Sequence, residues 1–157
     1  MSTTRRVLVT GGNRGIGEAI ARHLTEQGHE VVVTSRSGDA PEGLRAVACD
    51  VTDTASVDQA LKDAEEVLGG TVEVLVANAG ITKDNLFVAL KDEDWEQVLA
   101  VNLTSTFRLA RAAVKVMMRR RFGRIIGIAR PTRIPVRRHF CDKSLKNWYL
   151  LTNSCAR

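Results

Sequence analysis

Cysteine is scarce in this chain of 157 residues, and the three present, Cys49, Cys141 and Cys155, are too irregularly spaced for a disulfide framework. No histidine stands at ligand spacing from them, so no metal site is expected and the thiols read as free, in a reducing compartment. Long hydrophobic runs are also missing. After Arg5-Arg6 the stretch Val7-Leu8-Val9 is far too short for a signal-peptide core, nothing approaches a membrane span, and a cytoplasmic protein is expected. Neither an internal repeat nor a low-complexity segment is present. Tyrosine occurs once, as Tyr149. With 44% hydrophobic and 26% charged residues, what remains is ordinary globular composition, enough for one core of moderate size.

The composition changes near residue 128. Residues 1–128 carry 16 Lys/Arg against 17 Asp/Glu, whereas residues 129–157 carry 7 against 1. All 12 glycines lie at or before Gly127, and two of the three prolines lie after it. Residues 1–128 are therefore read as one incomplete domain, and residues 129–157 as a basic tail expected to be disordered. A frameshift or rearrangement near codon 128 would account for the break.

Within the body, strand patterns alternate with helical ones. Val7 to Thr10 predicts a strand, and Ile16, Ile20 and Leu24 then recur at a spacing of four until Gly28 ends a helix. Strands follow at Val31–Val33 and Ala46–Cys49. A helix capped by Asp53 or Thr54 would bury Val57, Leu61, Ala64 and Leu68. Val72–Val76 predicts a fourth strand, and one long helix is expected from Asp92 to about Met118. Its apolar band, which includes Trp95, Leu103, Phe107, Val114 and Met117, is wider than one sheet face needs, so a second covering surface such as a partner subunit is implied. The run Arg124 to Ile128 suits a fifth strand covered on both faces. This alternation predicts an α/β fold, a doubly wound parallel sheet of Rossmann type, truncated after the fifth strand.

The strongest chemical signal is Thr10-Gly11-Gly12-Asn13-Arg14-Gly15-Ile16-Gly17, between the first strand and the first helix. Glycines there let the backbone turn tightly and approach a pyrophosphate, whose charge meets free N–H groups and the positive end of the helix dipole. No Lys-Ser/Thr follows the last glycine, which excludes a Walker A loop. An NAD-binding sheet usually ends its second strand on an acid that holds the ribose hydroxyls. Here that place reads Thr34-Ser35-Arg36, and Arg36 with Arg14 can grip a 2′-phosphate, so NADP(H) is favoured over NAD. Asp50-Val51 and Asn78-Ala79-Gly80 follow the third and fourth strands, at the carboxyl ends where ligands bind in open α/β sheets. Asn102 lies on the inward side of the long helix, where an amide must find hydrogen-bond partners.

TGGNRGIG, the CDV at Cys49 to Val51, ANAG at Ala77 to Gly80, VNLTSTF at Val101 to Phe107 and GRII at Gly123 to Ile126 occur in one order. Together they resemble the short-chain dehydrogenase/reductases, over about residues 5–128, and among these the 3-oxoacyl-(acyl-carrier-protein) reductases of fatty-acid synthesis. The resemblance implies NADPH-dependent reduction of a ketone to a secondary alcohol, with an acyl-carrier-protein-linked or other ketone substrate, in a homo-oligomer. It assigns Gly11, Gly15, Ile16 and Gly17 to the pyrophosphate, and Asn13, Arg14 and Arg36 to the ribose phosphate. Asp50 and Val51 would meet the adenine, and Asn78, Ala79 and Gly80 the ribose and neighbouring atoms. Asn102 matches the catalytic asparagine that orders a proton-relay water.

The same pattern calls for a serine just after GRII and for a Tyr-x-x-x-Lys pair further on. The serine's place falls at Ala129-Arg130, and four residues beyond Tyr149 stands Asn153. Three functions are therefore weighed: an inactive cofactor-binding fragment of such a reductase, an NADP(H)-binding pseudoenzyme or regulatory subunit, and a polyanion binder acting through the basic tail.

Overall fold

The computed structural model describes residues 4–83 and 87–129. The expectations placed on Tyr149, Asn153, Cys141, Cys155 and the basic tail lie outside the described residues.

Five strands, β1 (Arg6–Thr10), β2 (Glu30–Ser35), β3 (Arg45–Ala48), β4 (Val74–Ala77) and β5 (Arg124–Gly127), form one sheet in the order β3-β2-β1-β4-β5. Every neighbouring pair is parallel. The chain steps outward from β1 to β3, then returns to the other side of β1 for β4 and β5. The expected doubly wound parallel sheet is thus present, with its change of direction between β1 and β4.

Register explains which side chains form the core. Leu8 pairs with Val32 and Leu75, and the period of two sends all three to one face, beneath helices α2 (Thr54–Val67) and α4 (Ser105–Arg120). Val7, Val9, Val31, Val33 and Val76 point the other way, against Ala21, Ile20 and Leu24 of α1 (Gly15–Glu26). Val57, Leu61, Ala64 and Leu68 are buried as their spacing predicts. Asp53 starts α2 by accepting from the Ser56 N–H at 2.8 Å and the Ala55 N–H at 3.4 Å, a cap worth about 1 kcal/mol.

Three expectations are corrected. Ile16, placed on the inward face of α1 by its spacing, is 51% exposed, and of that series only Ile20 and Leu24 pack against the core. The long helix is not uniform: α3 (Asp92–Leu99) passes into a π-helical turn at Ala100–Thr104 and then into α4. The Ser105 hydroxyl donates to the Val101 carbonyl and the Thr106 hydroxyl to the Asn102 carbonyl at 3.0 Å, bonds from side chain to backbone across the wider turn. Beyond that turn Leu109, Ala112, Ala113 and Met117 face inward, while Trp95, Leu103, Phe107, Val114 and Met118 remain exposed. Finally, among the described residues β5 is not covered on both faces: it is paired there with β4 alone, at the edge of the sheet, and Ile125 and Ile126 are 41% and 47% exposed.

Helix α4 stops at Arg121, the one non-glycine among the described residues with positive φ, at 53°. A side chain in this left-handed conformation costs about 1–2 kcal/mol, part of which glycine would return as unfolded-chain entropy. Arg121→Gly is expected to raise stability by roughly 0.5–1 kcal/mol, read from the urea midpoint.

Candidate functional site

A cleft of about 990 Å³ opens at the carboxyl ends of β1 and β4, where the sheet changes direction. Its wall brings together Gly11, Asn13, Arg14, Gly15, Arg36, Asp50, Val51, Asn78, Ala79 and Gly80. Three of the residues singled out from the sequence, Ile16, Gly17 and Asn102, are not part of that wall.

The floor is a buried polar knot. Thr10 ends β1, and its hydroxyl accepts from the N–H groups of Asn78 and Ala79 at 3.0 and 3.1 Å while donating to the Val76 carbonyl at 3.4 Å. Asn78 Nδ2 returns the link, donating to the Thr10 and Gly11 carbonyls at 3.0 and 3.1 Å. The two strand ends are thereby locked together, and Asn78 Oδ1 is left buried with no partner among the described residues. Gly17 lies directly above this knot. A Cβ there would come within 2.3 Å of the Gly11 carbonyl oxygen and 2.4 Å of Asn78 Nδ2, so only glycine fits.

The first turn of α1 is uncapped. Arg14 occupies the cap position in extended conformation and makes no capping bond, unlike Asp53 of α2. Among the described residues the first N–H groups of α1 have no side-chain acceptor, which is the arrangement that receives anions at helix starts. Neither the Arg14 nor the Arg36 side chain hydrogen-bonds to a described residue, and both are exposed at the cleft.

On the opposite wall Asp50 Oδ1 accepts from the Thr52 hydroxyl at 2.6 Å and the Thr52 N–H at 2.9 Å. These two bonds, helped by the Arg36 charge, hold its carboxyl below the usual range. Cys49, beneath it, is buried, and burial together with the negative charge of Asp50 pushes its thiol up to about 11. A thiol so protonated is no nucleophile near neutral pH.

Asn102 sits in the π-helical turn. Its Oδ1 accepts from the Ile81 N–H at 2.8 Å and its Nδ2 donates to the Ile81 carbonyl at 2.9 Å, so both ends of the amide clamp one residue at the cleft mouth. Gly80 fits beneath, its missing Cβ only 3.3 Å from Asn102 Oδ1. Of the wall residues not anticipated from sequence, Thr34, Ser35 and Thr52 stand at or just beyond strand ends, a position that could have flagged them. Gln97 and Ala100 come from α3 and the π turn, and no sequence spacing points to them; Val101, beside them, opens the VNLTSTF stretch.

The family model for short chain dehydrogenases matches residues 5–131. Among similar proteins, the 3-oxoacyl-[acyl-carrier-protein] reductase MabA of Mycobacterium avium is 51% identical over 125 residues, covering 80% of this chain and 49% of the relative. The 3-oxoacyl-[acyl-carrier-protein] reductase FabG of Escherichia coli is 41% identical over 129 residues, covering 77% and 52%. A crystal structure of a short-chain dehydrogenase from Streptomyces avermitilis superposes with a TM-score of 0.72 at 30% identity, over 81% of this chain and 49% of that one. The chain spans about half the length of the curated relatives it matches. No helix among the described residues is long and apolar enough to cross a membrane. With its glycine turn, switch-point cleft and matched length, the chain belongs to the short-chain dehydrogenase family.

Proposed function

We propose that the cleft binds NADP(H), and that residues 1–128 are the cofactor-binding part of a reductase of the 3-oxoacyl-(acyl-carrier-protein) type. The observation that carries this reading is the cleft itself: a helix start without a side-chain cap, beside two guanidinium groups that hydrogen-bond to no described residue, at the switch point of a parallel sheet. The residues present fit the group. Gly17 keeps the glycine turn low against Asn78, the α1 N–H groups await an anion, and Asn78 Oδ1 is an orphaned acceptor suited to a hydroxyl donor.

Arg14 and Arg36 would hold the 2′-phosphate by charge-assisted bonds, with no acid at the end of β2 to favour a free ribose hydroxyl. Asp50 and Val51 would line the adenine side, and Asn78 to Gly80 the ribose. Asn102 fixes the Ile81 backbone at the mouth of the cleft, where the carbonyl of a substrate would enter. When bound, the cofactor supplies hydride to such a carbonyl. The 3-oxoacyl-[acyl-carrier-protein] reductases that the chain resembles support an acyl-carrier-protein-linked ketone as the substrate.

Calorimetric titration of the chain should give tighter binding of NADPH than of NADH. Arg36→Asp is expected to lower that preference by about tenfold or more, because a charge-assisted bond worth about 1.5–3 kcal/mol is replaced by repulsion. Arg36→Gln, which adds no charge beside Asp50, should lie between the two. Equal or better affinity of the unsubstituted chain for NADH would show the assignment to be wrong.

A further inference from the structure

We infer that Arg108 is a positioning residue for the adenine side of the cleft, acting through the backbone of Thr52; this rests on the NADP(H) reading of the cleft. Arg108 lies on α4, two turns of helix away from any wall residue of α3 or the π turn, and reaches across the packed α2 and α4 helices. Its Nη1 donates to the Thr52 carbonyl. Thr52 in turn donates its N–H and its hydroxyl to Asp50 Oδ1, the Asp50 N–H donates to Ser56 Oγ at 2.9 Å, and the Asp53 N–H donates to the Asp50 carbonyl at 3.1 Å. The turn at residues 50–53 is thus bonded to itself and to the start of α2. Among the described residues, Arg108 makes the one side-chain hydrogen bond that ties it to a different helix.

The consequence follows from where that helix begins. Asn102, at the π turn, clamps Ile81 on one wall of the cleft, and Arg108 holds Thr52 on the other. One continuous helical segment therefore sets the spacing between the loop after β4 and the loop after β3, which no strand pairing does, since β3 and β4 are not neighbours in the sheet. Without the guanidinium the Thr52 carbonyl loses a charged donor, and the Asp50 carboxylate and Val51 backbone can drift relative to the cleft floor. Affinity should fall because the ligand must then order the turn itself.

The test uses the full chain. Arg108→Met is expected to weaken binding of both NADPH and adenosine 2′,5′-bisphosphate about tenfold, since the defect lies on the adenine half that the two share. Arg108→Lys, which keeps a charged donor on a stem of similar reach, should recover most of it. Arg108→Gln, too short to reach Thr52, serves as the loss variant if Arg108→Met is unstable. Independently of any ligand, hydrogen exchange at the Thr52 amide should accelerate about tenfold in the loss variant while amides of β1 and β4 keep their protection. Unchanged exchange at Thr52, or unchanged affinity for both ligands in a folded loss variant, overturns the inference. If the unsubstituted chain binds neither ligand while Thr52 exchange still accelerates in the loss variant, the clamp stands and the cofactor reading falls.

Discussion

Gly17→Ala is expected to abolish measurable NADPH binding and to destabilise the fold by roughly 2–5 kcal/mol. The added methyl would lie 2.3 Å from the Gly11 carbonyl oxygen and 2.4 Å from Asn78 Nδ2. Both are backbone or hydrogen-bonded atoms with no freedom to retreat. Moving either breaks the bond between them and exposes the Thr10–Asn78 knot that joins the ends of β1 and β4. Overpacking of this kind costs about 1–3 kcal/mol, and a buried polar group left unpaired adds a similar amount.

Gly15→Ala separates the two effects. Gly15 has φ 59°, but a Cβ there meets nothing among the described residues within 4 Å, so the fold should lose only about 1–2 kcal/mol of left-handed strain. Gly15 lines the cleft where the pyrophosphate is proposed to lie, so binding should still be lost. Urea unfolding with NADPH titration on both variants distinguishes them. A Gly17→Ala chain that melts and binds like the parent would show that the knot does not support the cleft.

The difference between these glycines was invisible in the motif, where both are simply spaced residues of one turn. What could be read from the sequence was whatever depends on neighbours along the chain. Asp53 followed by the Val57, Leu61, Ala64 and Leu68 series gave a capped helix in the right place, because capping and period are local. The five strands were legible for the same reason, and so was the clustering of Asp50, Asn78 and the glycine turn, since parallel strands deliver all their carboxyl ends to one side.

Properties set through space were not legible. The three isoleucines after Arg124 have the composition of a strand buried on both faces, yet burial is decided by what packs on them, and among the described residues β5 is an edge strand. The π turn at Ala100–Thr104 escapes any search that assumes 3.6 residues per turn, although it is what aims Asn102 at Ile81. Thr10 stands first in the glycine motif, but its role depends on Asn78 and Ala79, which lie far along the chain. Arg108 gave no signal at all, because a lone arginine on a helix reads as a solvated side chain until its carbonyl partner is seen.

The 157-residue chain, purified and supplied with NADPH and an acetoacetyl thioester, is expected to show no ketone reduction above background. Hydride delivery to a carbonyl develops negative charge on its oxygen, and a reductase of this family meets that charge with a serine and a tyrosine whose pKa is lowered by a lysine. At the serine's place this sequence has Ala129 and Arg130; its single tyrosine is Tyr149, with Asn153 where the lysine should stand. General acid catalysis is worth about 10²–10⁴-fold, and loss of a donor to a developing oxyanion costs about 10²–10³-fold more. Asn102 cannot replace them, since its amide is already committed at both ends to Ile81 and an amide is no proton donor near neutral pH. Nor can Cys49, whose burial and acidic neighbours keep it a neutral thiol. The comparison that gives the assay force is a chimaera in which residues 129–157 are replaced by a family-like continuation carrying the serine and Tyr-x-x-x-Lys; turnover should appear there, on the same cofactor cleft. Steady turnover by the unaltered chain, abolished by Tyr149→Phe, would show instead that the basic segment supplies a catalytic acid of its own.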